Sequence, residues 1–268
     1  MKFNSLFISF LTLLCSFNIF ASKDVVVPIH TFILEADTGR AMRLLTKNAG
    51  WINTITQGLG FEKQFYKSLH KSCPLQPKPF KAFLKGEEVP EYIYQSFFGN
   101  IPSAQLLQTV KNDFISRHVK NLDAMLSLAE IAFDPAINAH VLDLTSGVDK
   151  FIKKLLSKGH RIFIIDNCNQ EVKQMLKQKF PLLNSLPMMV SGDIHMIKSP
   201  AFYAEFMNKF ALNPANTIFI ETEEPYIGYI RQAVPNAKTI LCKHKGHPER
   251  NISQAKDVLK DQYGINLK

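Results

Sequence analysis

Four short stretches of this chain carry side chains able to do chemistry. Phe32-Ile33-Leu34 runs into Glu35-Ala36-Asp37-Thr38-Gly39, and Ile162-Phe163-Ile164-Ile165 runs into Asp166-Asn167. Ser191-Gly192-Asp193 leads to Lys198, and Ile218-Phe219-Ile220 runs into Glu221-Thr222-Glu223-Glu224. A carboxylate held in line with a bond can attack as a nucleophile, and a second can carry a proton. A lysine can neutralise the charge of a transferring anion, and carboxylate oxygens suit Mg²⁺. In this order the four stretches have the parts of a phosphoryl-transfer site.

Such residues need a scaffold that brings them together. An apolar run ending abruptly in polar residues is how a buried parallel strand delivers groups to its carboxyl edge, where open α/β sheets keep their sites. Thr31 to Leu34 reads as the first such strand, with Glu35 to Arg40 as the loop after it. Arg161–Ile165, Met188–Val190, Ile218–Ile220 and Thr239–Cys242 read as further strands. Between them lie helical patterns from Gly147 to Leu156, stopped by Gly159, and at Asn169–Phe180, Pro200–Phe210 and Tyr226–Val234. A possible last helix covers Ser253–Tyr263. Strands alternating with helices predict a parallel sheet with right-handed crossovers.

From about Ala41 to Ala132 the pattern is helical, with apolar residues at Met42, Leu45, Phe61, Phe65 and Leu69. Pro74, Pro77 and Pro79 break it, and Ser103 reads as an N-cap for Ala104–Phe114. Tyr92, Tyr94, Phe97, Phe98 and Trp51 read as packing inside this block. A long block without a clear strand, set between strand segments, reads as an inserted helical lobe. The expected organisation is core at 25–40 and 133–268, with the lobe at 41–132.

The first 21 residues read as a signal peptide. Lys2 gives a positive start, Leu6–Leu14 an apolar run, and Ala21 a small residue for cleavage. The apolar core is short for a span of about 20 residues. The expectation is therefore an exported protein, periplasmic or secreted, with no stable membrane anchor after cleavage. The formal net charge is +9, but the basic residues are scattered and form no stripe interleaved with aromatics. No nucleic-acid partner is expected. Past the leader stand Cys73, Cys168 and Cys242; three is odd, and no bridge is assigned. His244 and His247 lie in a basic stretch with no third ligand nearby.

The order strand, acidic loop, helical insert, strand with Asn167, Lys198, strand with Glu221 resembles the haloacid dehalogenase-like (HAD) hydrolases, in the branch whose helical cap follows the first strand. The likeness is densest from Phe133 to Ala237. It implies an α/β, Rossmann-like parallel sheet with an inserted helical cap. It also implies residue roles. In that family the first strand ends D-x-D-G-T, and the matching residues are Glu35, as nucleophile, and Asp37, as general acid/base. Asp166 matches a Ser or Thr that binds a phosphate oxygen, and Asn167 the residue beside it. Lys198 matches the charge-neutralising lysine. Glu35, Asp37 and Glu221 match the carboxylate set for Mg²⁺.

Several of these residues depart from the family's pattern. Glu35 is a methylene too long, and a shift of about an ångström costs roughly a hundredfold in rate. A carboxylate at Asp166 would repel a phosphoryl group unless protonated or metal-bound. Three functions follow: a degenerate site with little or no phosphatase turnover that still binds a cation or ligand, an active Mg²⁺-dependent hydrolase of a small phosphorylated molecule, or an interaction protein using its cap surface.

Overall fold

A computed structural model of the protein describes residues 22–49, 91–244 and 247–267. The signal-peptide segment, Trp51, Cys73 and the Phe61–Leu69 and Pro74–Pro79 patterns lie outside the described residues.

In chain order the elements are β1 (Asp24–Pro28), β2 (Leu34–Ala36), α1 (Thr38–Ala49), α2 (Glu91–Phe97), α3 (Ser103–Ser116), α4 (Leu122–Phe133), α5 (Pro135–Val141), β3 (Leu142–Leu144), α6 (Val148–Ser157), β4 (Arg161–Asp166), α7 (Gln170–Lys179), α8 (Pro181–Asn184), β5 (Met188–Val190), α9 (Ser191–Ile194), α10 (Pro200–Lys209), β6 (Thr217–Glu221), α11 (Glu224–Ala233), β7 (Lys238–Leu241) and α12 (Pro248–Tyr263). Five strands form one parallel sheet in the order β5-β4-β1-β6-β7. This is the α/β, Rossmann-like architecture expected.

The central strand differs from the expectation. It is Asp24–Pro28, with Val25, Val26 and Val27 fully buried, paired to β4 on one side and β6 on the other. Alternate valines feed the two faces: Val25 and Val27 join one apolar cluster with Ile162, Ile164, Ile218 and Ile220, and Val26 joins another with Phe163, Ile165 and Phe219. A strand covered on both faces must be apolar at every position, and the three valines satisfy that. Pro28 closes the strand, where the ladder tolerates a missing N–H.

Thr31 to Ile33 is a tight turn, not a strand. The amides of Ile33 and Leu34 both donate to the Ile29 carbonyl, at 3.0 and 2.9 Å. Phe32 and Ile33 are buried in the same apolar cluster as Val25 and Val27, so their apolar character arises from burial and not from strand pairing. Leu34–Ala36 then pairs antiparallel with Leu142–Leu144 as a separate two-stranded ribbon.

The helical block has its own core: Leu106, Val110, Phe114, Ala124, Met125, Ala129 and Phe133, with Tyr92, Phe97 and Phe98 packed against it. Ile197 from the sheet domain completes that cluster, next to Lys198 in sequence. Ser103 is not the N-cap. Pro102 holds that position, and the Ser103 hydroxyl instead accepts a hydrogen bond from Asn169 Nδ2 at 2.8 Å, tying the block to the sheet. Gly159 does end its helix, at φ 78°, with the His160 amide returning to the Leu155 carbonyl. Cys168 and Cys242 are buried free thiols, and burial pushes the Cys242 thiol up to about 12.

Candidate functional site

The sheet order sets the site. With β1 between β4 and β6, three carboxyl ends come side by side: Pro28 then His30, Asp166 then Asn167, and Glu221 then Thr222. Together with Thr31, Lys198, Glu223 and Tyr226 these residues line a cavity of about 120 Å³ at that edge.

Asp166 is buried at the end of β4 and accepts three hydrogen bonds. Its Oδ2 takes the His30 amide at 2.7 Å and lies 2.9 Å from His30 Nδ1, and its Oδ1 takes the Asn167 amide at 2.7 Å. Burial by itself would push the carboxyl up, but His30, with help from Lys198, overrides it and holds Asp166 down at about 2. The same pair acts on the ring in reverse. Burial lowers the His30 pKa, Asp166 more than offsets it, and the net value lies above the usual 6.5. The repulsive Asp166 expected from sequence is therefore neither protonated nor in need of a metal: it is half of an ion pair.

Glu221 and Lys198 form the second pair. Lys198 Nζ lies 2.6 Å from Glu221 Oε1, with both side chains buried. The Tyr203 hydroxyl, from α10, donates to the same oxygen at 2.8 Å. Burial raises the Glu221 pKa, against the opposing pull of Lys198 and Tyr203. Lys198 Nζ also lies 3.9 Å from the centre of the Tyr226 ring. The Lys198 backbone is held by Asn167, whose Oδ1 accepts its amide at 2.8 Å while Nδ2 donates to the Tyr226 hydroxyl at 3.1 Å. Ser199 caps the helix that follows, accepting from the Phe202 amide. Beneath the Asn167–Asn169 loop, Gly192 is a necessity: a Cβ there would meet Asn169 Cα at 2.8 Å.

Asp166, Asn167, Lys198 and Glu221 thus converge, and Glu35 and Asp37 do not join them. Glu35 sits on the β2–β3 ribbon opposite Asp143, half-buried, its carboxyl raised by burial and by Glu249. Asp37 precedes α1 as its N-cap, where its side chain accepts the Arg40 amide at 3.0 Å and pairs with Arg40 Nε at 2.9 Å. That amide bond, then the guanidinium, holds the Asp37 carboxyl below its ordinary range. The physical reason is the position of the central strand: its carboxyl edge comes at Pro28, so the residues delivered to the pocket are Pro28 and His30. The sequence did contain that signal, since Val25-Val26-Val27-Pro28 before His30-Thr31 is itself an apolar run ending in polar groups. Tyr203 and Tyr226 had no comparable signal, because a tyrosine on a helix reads as packing.

The donor set does not fit the expected Mg²⁺ site. Glu221 is committed to Lys198 and Tyr203, Asp166 to His30, and Glu35 and Asp37 bond elsewhere. Among the described residues no group of three His, Cys, Asp or Glu side chains is placed to hold a metal ion.

A larger cleft of about 390 Å³ lies between α3 and α7, lined by Ser103, Leu107, Asp134, Glu171 and Gln178 among others. Its two carboxylates serve the backbone: Asp134 caps α5, and Glu171 accepts the Ser103 amide at 2.8 Å. The smaller pocket at the sheet edge, where the charged groups face one another, is the candidate site.

No protein-family model matches the chain, and no curated protein gives a significant match. Solved structures do resemble it. A dehalogenase superposes with a TM-score of 0.51 at 13% identity, over 86% of this chain and 89% of the other. A HAD-family enzyme from Bacteroides thetaiotaomicron gives 0.51 at 14%, over 84% and 95%. The magnesium complex of that enzyme gives 0.52 at 12%, over 82% and 92%. At these identities the likeness shows the fold, which is HAD-like.

Proposed function

We propose that this protein is an exported member of the HAD-like fold that has lost phosphatase turnover and keeps its sheet-edge pocket for a small ligand. One observation carries the reading: at the carboxyl end of the central strand, where the resemblance requires the attacking carboxylate, stands Pro28. Proline offers no nucleophile, no proton and no metal ligand. The groups around it support the same conclusion. The positive charge of Lys198, which would balance a phosphoryl dianion, is already neutralised by Glu221. The lining's two cations, His30 and Lys198, are each paired with a carboxylate, Asp166 and Glu221, which leaves no unpaired positive charge between them to draw in a phosphate monoester.

Export rests on the pattern of residues 1–21: a positive start at Lys2, an apolar run and a small residue at Ala21. Retained neighbours of the site, Asn167 and Lys198, account for the sequence likeness without restoring the reaction.

The test is a panel of phosphate monoesters with Mg²⁺ titration on the purified protein. The expected result is no saturable turnover and no cation-dependent rise in Tm. Mg²⁺-dependent hydrolysis of any member at a kcat near 1 s⁻¹ or above, roughly the low end of ordinary enzymes, would overturn the reading.

A further inference from the structure

Loss of one reaction leaves an unexplained arrangement in the pocket. His30 is not simply tolerated there. Its Nδ1 is fixed by Asp166 at 2.9 Å, and its own amide is fixed by the same carboxylate oxygen at 2.7 Å. Asp166 in turn is buried and held by the Asn167 amide. One carboxylate oxygen thus holds both the backbone and the ring of His30, and a carboxylate on Nδ1 places the proton there and leaves Nε2 as the basic nitrogen. Nε2 has no partner among the described residues, and 31% of the His30 side chain is open to solvent at the pocket.

Here the acid is buried and the base lines a cavity with its second ring nitrogen unpartnered among the described residues. A carboxylate on one imidazole nitrogen and a cavity at the other is the arrangement of a general base with its orienting carboxylate. We infer that His30, positioned by Asp166, is a general base that activates water for hydrolysis of a small uncharged ester in the pocket. The inference rests on the reading that phosphoryl transfer has been lost from this site.

The step balances without a further reactant. A water proton passes to His30 Nε2 as the water oxygen bonds to the ester carbonyl carbon. The tetrahedral intermediate then breaks its bond to the alkoxy oxygen, and the imidazolium proton goes to that leaving group. Lys198 faces the same cavity and has three N–H donors, one of them used on Glu221, so it can meet the developing oxyanion. The substrate class follows from the lining. His30 and Lys198 are each paired with a carboxylate, so these two pairs carry no net charge to attract an anion, and about 120 Å³ admits only a small acyl group. His30 is the catalytic residue in this scheme and Asp166 its positioning residue.

The experiment compares 4-nitrophenyl acetate with 4-nitrophenyl phosphate, each with EDTA and with Mg²⁺. Saturable, EDTA-insensitive hydrolysis of the acetate is expected. Its kcat should rise with pH through the His30 pKa, which lies above 6.5 because Asp166 outweighs burial and the opposing charge of Lys198. Glu221 and Glu223 also line the pocket. His30→Gln should lower kcat by about 10²-fold or more. Asp166→Asn should lower kcat by roughly tenfold or more with little change in KM, and should move the pH profile down. Acylation of the wild-type protein by diethyl pyrocarbonate, mapped by mass spectrometry, needs no variant: loss of turnover should track modification of His30. Absence of saturable acetate hydrolysis, or full activity after His30 is acylated or replaced, would overturn the inference. Mg²⁺-dependent phosphate hydrolysis would overturn the earlier reading instead, and the acetate arm would still decide this one.

Discussion

Two segments compete for the role of first motif, and they differ in kind. Glu35-Ala36-Asp37-Thr38-Gly39 has nearly the right letters, but lies on an antiparallel ribbon and the start of α1. Pro28-Ile29-His30-Thr31 has the right place, at the end of the central strand, and none of the letters. Position decides chemistry, because a pocket is built from what the sheet edge delivers. The contrast extends to electrostatics. Around the ribbon the acidic groups Glu35, Asp37 and Asp143 sit with Arg40 in partly solvated surroundings, where ion pairs contribute little. At the sheet edge the pairs Asp166–His30 and Lys198–Glu221 are set in a largely dry site, where removing one partner strands the other.

The largest expected effect tests that last point. Lys198→Met keeps the stem and removes the ammonium, leaving Glu221 buried with Tyr203 as its one donor. Breaking a buried pair costs about 3–5 kcal/mol. Chemical denaturation at neutral pH should show a loss of that order. The deficit has a sign in pH. Without Lys198 the Glu221 pKa rises further above its ordinary 4.5, so the native state binds the proton more tightly than the unfolded chain. The penalty is present above 4.5 and fades below it. A pH-independent deficit would mean that packing of the lysine stem, not charge, was lost.

The Asp166–His30 pair should give a smaller and bounded effect. Asp166 has its native pKa lowered to about 2 from 3.8, so its contribution is complete above 3.8 and lost as pH falls towards 2. His30 has its native pKa raised above 6.5, so its contribution is complete below 6.5 and lost as pH rises through the native value. The stabilisation from the pair is therefore greatest between these limits. The stability gap between wild type and His30→Gln should peak near pH 5, at about 1–2 kcal/mol after allowing for the ring's exposure, and shrink on both sides. A gap that keeps widening above pH 8 would show that the imidazole acts there through packing.

Much of the fold was legible because it rests on hydrophobic periodicity. The strands Arg161–Asp166, Met188–Val190 and Thr217–Glu221 fall where apolar runs meet polar ends, and Gly159 stops its helix as expected. The site residues on those strands, Asp166 and Glu221, were legible for the same reason. The first strand was not, because two apolar runs lie close together in sequence and either could fill the centre of the sheet. Three consecutive valines, β-branched and buried on both faces, win over Thr31-Phe32-Ile33-Leu34, whose apolar residues pack beneath a turn. Charge compensation is less legible still: His30 and Asp166 lie 136 positions apart, and only the sheet order brings them to the same edge.

The smallest expected effect bears on the segment with the right letters. Asp37 caps α1 and pairs with Arg40 at the surface, so Asp37→Asn, which retains an oxygen to accept the Arg40 amide, should leave Tm within about 2 °C of wild type. Asp37→Ala removes the cap and should cost more than the asparagine, yet less than Lys198→Met. Neither change should alter ester hydrolysis at the sheet edge, since Asp37 does not line that pocket. A loss of turnover in Asp37→Asn with Tm unchanged would mean that the ribbon reaches the pocket when substrate is bound, and the sharp division between the two segments would have to be redrawn as one site closing from two sides.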